Sequence, residues 1–247
     1  MNEKRDATKT AFKLAISAVF AALVCVATLV FTVSVPATTG YFNVGETAIY
    51  VAALLFGPYV GAFAGGIGAA IADTLVAAQF APGTLVIKAC EGAIVGSLNK
   101  MFRRPSRSNW MIYTASLGII VGSLLAITGS IYYSGDVQLS LGFPQLPTLS
   151  ITAFVPTAIW YFIGAIVALL IILMGFKIEP ESGRAVFSMI VGGLEMAAGY
   201  FMYEELVLGK TGAIVEIPVN IGQMIIGLIV AIPIVSIVLR SLPQLKR

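Results

Sequence analysis

Three long apolar runs constrain this chain more than any other feature of its sequence. Leu14–Val33 holds twenty residues without a charge, Ile217–Leu239 holds twenty-three, and Thr47–Ile87 holds forty-one with Asp73 as the single charge. About twenty apolar residues span the hydrocarbon core as a helix. Only helices and closed barrels satisfy the backbone in lipid, and barrel strands would read as short alternating segments. We therefore predict an all-α, polytopic transmembrane helix bundle.

The overall composition agrees with this class. Hydrophobic residues make up 58% of the chain and charged residues 11%, whereas soluble domains carry about 25% charged residues. The basic start could indicate a signal peptide, but the apolar run after it exceeds the usual h-region of about 7–15 residues. We therefore expect it to remain as the first helix. The chain has no histidine, which removes the commonest general base and metal ligand. Its two cysteines lie within apolar runs, which is typical of small buried hydrophobes.

Eight helices are predicted from the apolar runs and the breakers between them. Gly57-Pro58 ends a short second helix, and a tight loop at 79–83 separates the third from the fourth. The predicted helices span residues 11–34, 46–56, 59–78, 84–101, 110–133, 152–176, 186–206 and 216–240.

The basic residues predict the orientation of this bundle. If all eight helices cross, both termini, the loop around 103–107 and the turn 177–184 share one side. Thirteen of the fifteen Lys and Arg residues fall there or at adjoining helix ends, and the exceptions are Lys88 and Lys210. Cytoplasmic loops carry the excess of Lys and Arg. Both termini are therefore predicted to be cytoplasmic, in a multi-pass protein of the cell membrane.

Ionisable groups inside the predicted spans are candidates for function, because burying a charge in lipid is costly. Four of the six are expected in the outer half of the membrane, which suits capture of a polar solute from outside. A structural alternative is mutual neutralisation, since Lys88 and Glu91 lie three residues apart on one helix. The six groups are Glu46, Asp73, Lys88, Glu91, Glu195 and Glu216.

Two further segments carry polar groups in patterns that suit a ligand. The loop Gly40-Tyr-Phe-Asn-Val-Gly45 combines aromatic rings, an amide and glycines, which can stack on a flat ring and read its edge. Aromatic residues at a membrane edge can also form a simple interfacial belt. On the last helix, Glu216, Asn220, Gln223 and Gly227 form one stripe, which favours either a cavity or hydrogen bonding between helices.

Small residues recur at spacings that let membrane helices pack closely. The glycines at 57, 61 and 65 and at 92 and 96 are expected to pack inside the bundle. The alanines of the first helix, Ala11, Ala15, Ala18 and Ala22, could serve internal packing or present a docking face to another membrane protein. Enzyme signatures such as a phosphate-binding loop, His-Glu-x-x-His or Gly-x-Ser-x-Gly are absent from the sequence.

Four segments together resemble the substrate-binding (S) components of energy-coupling factor (ECF) transporters, in the riboflavin-transporter-like branch. The resemblance covers about 11–102 and 184–241. The segments are GYFNVGETAIYVAALLFGPYVGAFAGGIG at 40–68, TLVIKACEGAIVG at 84–96, GGLEMAAGY at 192–200 and NIGQ at 220–223.

The resemblance implies a non-enzymatic subunit that binds a vitamin or related micronutrient from outside. It would dock through small residues of its first helix, here Ala15, Ala18 and Ala22, on a membrane coupling subunit served by two cytoplasmic ATPases. Neither cofactor, metal nor nucleic acid is implied. The substrate-binding residues would come from Tyr41, Asn43, Glu46, Asp73, Lys88, Glu91, Glu195, Tyr200, Asn220 and Gln223.

The sequence departs from the family pattern in two respects. Such proteins usually have six helices, so residues 108–183 are interpreted as an inserted pair within a single membrane domain of residues 1–247. The family also often has Asp at the position of Glu46. Three other functions remain open: a proton-coupled secondary transporter with Asp73, Lys88 and Glu91 as relay, an intramembrane enzyme built on Glu204-Glu205 or Asp73, and a scaffold without ligand.

Overall fold

The computed structural model describes residues 2–35, 40–101, 106–141, 149–178, 180–209 and 213–245. It confirms the all-α bundle and the eight predicted helices. The helices are α1 Asn2–Val30, α2 Gly45–Phe56, α3 Pro58–Val76, α4 Ala81–Met101, α5 Arg107–Tyr132, α6 Thr157–Lys177, α7 Pro180–Leu206 and α8 Glu216–Ser241. Short 3₁₀ turns at Ala213–Val215 and Pro243–Leu245 flank α8.

Four short strands, which the sequence did not predict, lie at one end of the bundle. They are β1 Thr32–Val35, β2 Gly40–Asn43, β3 Gly135–Leu141 and β4 Leu149–Val155, and they form an antiparallel sheet in the order β2-β1-β3-β4. The predicted ends of two helices are therefore wrong. Helix α1 ends at Val30 rather than 34, because β-branched residues around Thr32 and Val33 extend into a strand. Helix α6 begins after Pro156, not at Thr152, because β4 occupies the preceding residues.

The helix starts differ from prediction where proline or a cap favours an earlier beginning. Helix α4 starts at Ala81 inside the predicted loop, with Pro82 in its first turn, and α7 starts at Pro180 rather than 186. Proline is well tolerated in the first turn because the amide it lacks would have no helical partner. Helix α5 starts at Arg107, where the Ser106 hydroxyl accepts a hydrogen bond from the Asn109 amide at 3.3 Å.

Both described chain ends lie at the end of the bundle opposite the sheet, since the eight helices alternate in direction. We call these the sheet end and the termini end. At the termini end the Trp110 indole donates to the Ile178 carbonyl at 3.0 Å, and Arg107 donates to the same carbonyl at 3.1 Å. The basic side chains of Lys100, Arg184 and Arg240 also lie there. Arg103, Arg104 and Lys210 lie outside the described residues.

Six helices of the described chain are long and apolar enough to span a membrane, and α2 and α4 are the two that are not among them. Helix α2 has 12 residues, about 18 Å at the usual helical rise, against a hydrocarbon core of about 30 Å. It packs in the middle of the bundle against α1, α3, α4 and α8. Helix α4 carries Lys88 and Glu91 in its buried face. Neighbouring helices surround α2, which lets it be short, whereas α4 buries its charged side chains on one face and exposes Leu85, Val86 and Cys90 on the other.

Glycines bring these central helices into contact. A Cβ at Gly61 of α3 would lie 2.7 Å from the Gly92 carbonyl oxygen of α4, and one at Gly227 of α8 would lie 2.6 Å from Glu46 Cβ on α2. Gly57 joins α2 to α3 with a φ of +92°, which disfavours other residues. The predicted internal packing of the glycines is confirmed at these positions.

The α1 alanines point away from the bundle. Ser17, Ala21, Val24 and Thr28 form the buried side of this helix, whereas Ala11, Ala15, Ala18 and Ala22 are exposed. Internal packing within this chain therefore does not explain the alanine stripe.

Candidate solute-binding site

The polar residues predicted from the sequence gather at the sheet end, because the elements that carry them all start or finish there. Strand β2 supplies Tyr41 and Asn43. Helices α2 and α8 begin at this end with Glu46 and Glu216, and α3 finishes there beyond Asp73. The middle of α4 and the last turns of α7 complete the group with Lys88 and Tyr200.

Two adjoining cavities lie among these side chains. The larger, which we call the rim cavity, has about 380 Å³ of empty space, including space open to the surroundings. The smaller and more enclosed inner cavity has about 220 Å³. Asn43, Asp73, Lys88 and Tyr200 line both cavities. The remaining lining of the rim cavity consists of Gly40, Tyr41, Phe80, Glu204, Glu216, Asn220 and Gln223. That of the inner cavity consists of Thr28, Gly45, Glu46, Ile49, Ala69 and Thr84.

Lys88 is the centre of a buried charge cluster. Its ammonium group pairs with Glu46 Oε1 and, at 3.3 Å, with Glu91 Oε2. The residues are 3%, 1% and 0% exposed, respectively. The Tyr50 hydroxyl donates to Glu91 Oε1 at 3.0 Å. The predicted Lys88–Glu91 pair is confirmed, and the structure adds Glu46 from a different helix, so two carboxylates share one ammonium group.

Asp73 is the centre of a second, hydrogen-bonded group. Its two carboxylate oxygens accept hydrogen bonds from the Tyr41 and Thr84 hydroxyls, and the Thr84 hydroxyl lies 2.9 Å from the Tyr200 hydroxyl. Burial, and next the negative charge of Asp73, raise the pKa of Tyr41 above its usual value. Tyr41 therefore stays a neutral phenol and keeps its proton for Asp73. This bond ties β2 to the end of α3.

Comparison with known proteins identifies the family of this chain. Residues 8–177 match the family model of the ECF-type riboflavin transporter, S component.

The chain belongs to this family.

An S component is the binding subunit of its transporter and not an enzyme, and the several apolar helices make this one a multi-pass membrane protein. The matched range includes α1 to α6 and ends before α7. An uncharacterized protein in a gap 3'region from Pyrococcus woesei is 40% identical over 106 residues, which are 43% of this chain and 67% of that protein. No solved structure matches the chain.

In this S component the hairpin formed by β1 and β2, which we call the lid hairpin, lines the cavities through Gly40, Tyr41 and Asn43 of β2. It is hydrogen-bonded to α8. The backbone N–H of Asn43 donates to Gln223 Oε1 at 3.0 Å, and the side-chain Nε2 of Gln223 donates to Asn220 Oδ1 at 2.9 Å. A Cβ at Gly40 would meet the Glu216 carboxylate, the far end of a flexible side chain, so β2 lies close against the start of α8. Three members of the α8 stripe, Glu216, Asn220 and Gln223, thus line the rim cavity, and Gly227 packs against α2, while the hydrogen bonds of Gln223 go to β2 and to its own helix.

Two predicted site residues do not line either cavity. Glu91 stands behind Lys88 and supports its charge. Glu195 on α7 is half-buried, and its Oε2 atom has no hydrogen-bond partner among the described residues. The structure thus brings eight of the ten predicted residues to the cavity walls and leaves Glu195 apart.

The structure also adds residues that the sequence reasoning did not place in the site. Phe80 supplies an apolar wall, and Glu204 lines the rim cavity while Glu205 is exposed. These adjacent carboxylates face different surroundings, which disfavours a paired-carboxylate enzyme centre. Glu216, which the sequence predicted as a functional candidate and a member of the α8 stripe but not as a substrate-binding residue, also lines the rim cavity, whereas Phe80 gave no sequence signal. The described residues contain no group of three His, Cys, Asp or Glu side chains able to hold a metal ion.

Proposed function

We propose that this S component captures a vitamin-sized solute from outside the cell in the rim and inner cavities. It then delivers the solute through a membrane coupling subunit driven by two cytoplasmic ATPases. The observation that carries the proposal is the polar rim cavity beneath the lid hairpin, walled by the aromatic-rich strand β2 and by the four helices α3, α4, α7 and α8.

The charge distribution supports the direction of transport. Lys100, Arg107, Lys177, Arg184 and Arg240 gather at the termini end, which the positive-inside rule places in the cytoplasm. The lid hairpin and the cavities lie at the other end. A solute would therefore enter from the outer face.

The first experiment measures binding by the purified chain in detergent, using riboflavin, thiamine, pyridoxine, biotin, pantothenate and folate in calorimetric titrations. Riboflavin is titrated first because the family is that of a riboflavin transporter. We expect one probe to bind in the submicromolar range without any partner subunit. Absence of binding across the panel, with protein that is monodisperse and melts cooperatively, would refute the proposed capture of a vitamin.

The second experiment tests docking through α1. Ala18→Leu or Ala22→Leu adds bulk to the exposed alanine stripe of α1. Solute binding and the stability of the isolated chain should therefore not change. Uptake by vesicles containing the coupling subunit and ATPases should fall at least tenfold. Val19→Leu, an exposed change on the same helix, is the matched control. Uptake that needs a proton gradient and no ATPase would instead favour the secondary transporter.

A further inference from the structure

The inner cavity has an excess of carboxylate over ammonium groups. Among the described residues that line the two cavities, Lys88 is the only cation. Its charge is already shared by Glu46 and Glu91, so it is not available to neutralise an anionic ligand. Asp73 lines the inner cavity together with Glu46, so its wall holds two carboxylates, and Glu91 stands behind Lys88 as a third.

One oxygen of this cluster lacks a partner. Glu46 is 1% exposed and lines the inner cavity, yet its Oε2 atom has no hydrogen-bond partner among the described residues. Buried polar atoms are nearly always hydrogen-bonded, because an unsatisfied one loses its water without compensation. The other oxygen of the same group is held by Lys88. Besides Lys88, the Glu91 carboxyl lies within hydrogen-bonding reach of the Glu46 side chain, and no N–H or hydroxyl group of the described residues donates to Glu46 Oε2. Glu46 Oε2 is therefore an acceptor for an N–H or hydroxyl donor that the described residues do not supply.

Three hydroxyls near the cluster are already engaged, while the Thr28 hydroxyl and the Asn43 side-chain amide also line the inner cavity. The hydroxyls of Tyr41 and Thr84 both donate to Asp73, and that of Tyr50 donates to Glu91. An anionic group placed in the inner cavity would meet carboxylates of its own sign and few free donors, in surroundings where charge repulsion is weakly screened. Within the described part of the chain, no three His, Cys, Asp or Glu side chains are grouped so that they could hold a metal ion.

We propose that the inner cavity receives a cationic nitrogen or an N–H group of the solute at Glu46 Oε2, and that the site thereby rejects anionic solutes. This inference rests on the proposed function, since it assigns a chemical class to the solute that the cavities capture. Tyr200, whose ring centre lies 5.5 Å from the Lys88 ammonium, would flank a solute that spans both cavities.

A panel sorted by charge separates this inference from the proposed function. Thiamine is cationic, riboflavin and pyridoxine are neutral at pH 7.5 and carry donors, and biotin, pantothenate and folate are anionic. We expect the tightest probe to be cationic or neutral, with each anionic probe at least tenfold weaker. Tightest binding of an anionic probe would overturn the inference and leave vitamin capture standing. Absence of all binding would overturn both.

Glu46→Gln tests the proposed contact directly, with the tightest probe as ligand. Removing the charge should weaken that probe roughly tenfold or more, as expected for a hydrogen bond to a charged group, and should narrow its advantage over the anionic probes in competition titrations. Glu205→Gln makes the same chemical change at an exposed position that lines neither cavity, and should alter neither value. Equal weakening of all probes would show a merely structural role for Glu46 and overturn the inference.

Asp73→Asn keeps the inference testable if Glu46→Gln does not fold. It removes one charge from the same cavity wall while an amide oxygen can still accept from Tyr41 or Thr84. The same narrowing of selectivity is expected, and unchanged selectivity in a folded Asp73→Asn protein would overturn the inference.

Discussion

The helix pair α5–α6 and the other six helices are held together by different interactions. The six-helix part has a buried polar centre in which Lys88 and Glu91 of α4 and Glu46 of α2 hold these two helices together. The pair is held by close apolar packing instead: a Cβ at Gly118 would lie 2.8 Å from the Ala168 carbonyl, and Gly122 and Gly164 face each other. Polar chemistry is thus concentrated in one region, while the other packs as an ordinary membrane hairpin.

The pair nevertheless contacts the six-helix part at the places that hold the lid. Strand β3, which follows α5, pairs with β1 of the lid hairpin at Val33↔Leu141 and Ser34↔Ser140. The Tyr133 hydroxyl donates to the Val215 carbonyl at 2.9 Å, next to the start of α8 and Glu216. The described residues of the pair and of its strands therefore contact the lid hairpin and the start of α8 without lining either cavity. That residues 108–183 are an insertion into a six-helix core stays a prediction.

The largest expected effect comes from removing the cation of the polar centre. Lys88→Met should destabilise the fold by about 3–5 kcal/mol, because two buried carboxylates lose their partner, and should abolish solute binding. Denaturation in detergent followed by circular dichroism measures the first effect. Lys100→Met, an exposed lysine at the termini end, should leave stability within about 0.5 kcal/mol. Equal stability of both variants would show that the polar centre does not hold α2 and α4 together.

The next effect concerns the contact between α2 and α8. Gly227→Ala places a Cβ 2.6 Å from Glu46 Cβ and 3.1 Å from Tyr50 Cε2, so the helices must separate. We expect a loss of about 1–3 kcal/mol and weaker binding. Gly222→Ala on the same helix meets only Phe42, at 3.7 Å, and should be neutral or slightly stabilising because alanine favours helix. Thermal unfolding of the two variants side by side distinguishes them, and a harmless Gly227→Ala would refute the close approach.

The smallest effect tests the support given by the helix pair. Tyr133→Phe removes the hydrogen bond to the Val215 carbonyl and should cost about 1 kcal/mol. Binding of the tightest probe should weaken by less than tenfold, because Glu216 and the start of α8 lose an anchor. Tyr132→Phe changes the exposed neighbouring tyrosine and serves as the control. If both variants bind like the parent chain, the pair does not position the site.

Much of the fold follows from local sequence features. The apolar runs predicted eight helices in a membrane, and Gly57-Pro58 marked the boundary between α2 and α3. The four strands were not predicted. β1–β2 and β3–β4 are hairpins between nearby residues, but the pairing of β1 with β3 that joins them links residues about a hundred apart, and no local pattern shows such a pairing. The early starts of α4 and α7 were missed because proline was read only as a breaker.

Some features of the candidate site were likewise predictable from the sequence, and others were not. The sequence by itself determined which residues are costly to bury in a membrane, and so pointed to Asp73, Lys88 and Glu91, because charge and hydropathy belong to the residues themselves. Only the tertiary structure decided that Lys88 pairs with Glu46, that Glu204 rather than Glu205 reaches the cavity, and that the α1 alanines face outward. Those outcomes depend on how each helix is rotated against its neighbours, and packing sets this rotation only when all the helices are assembled.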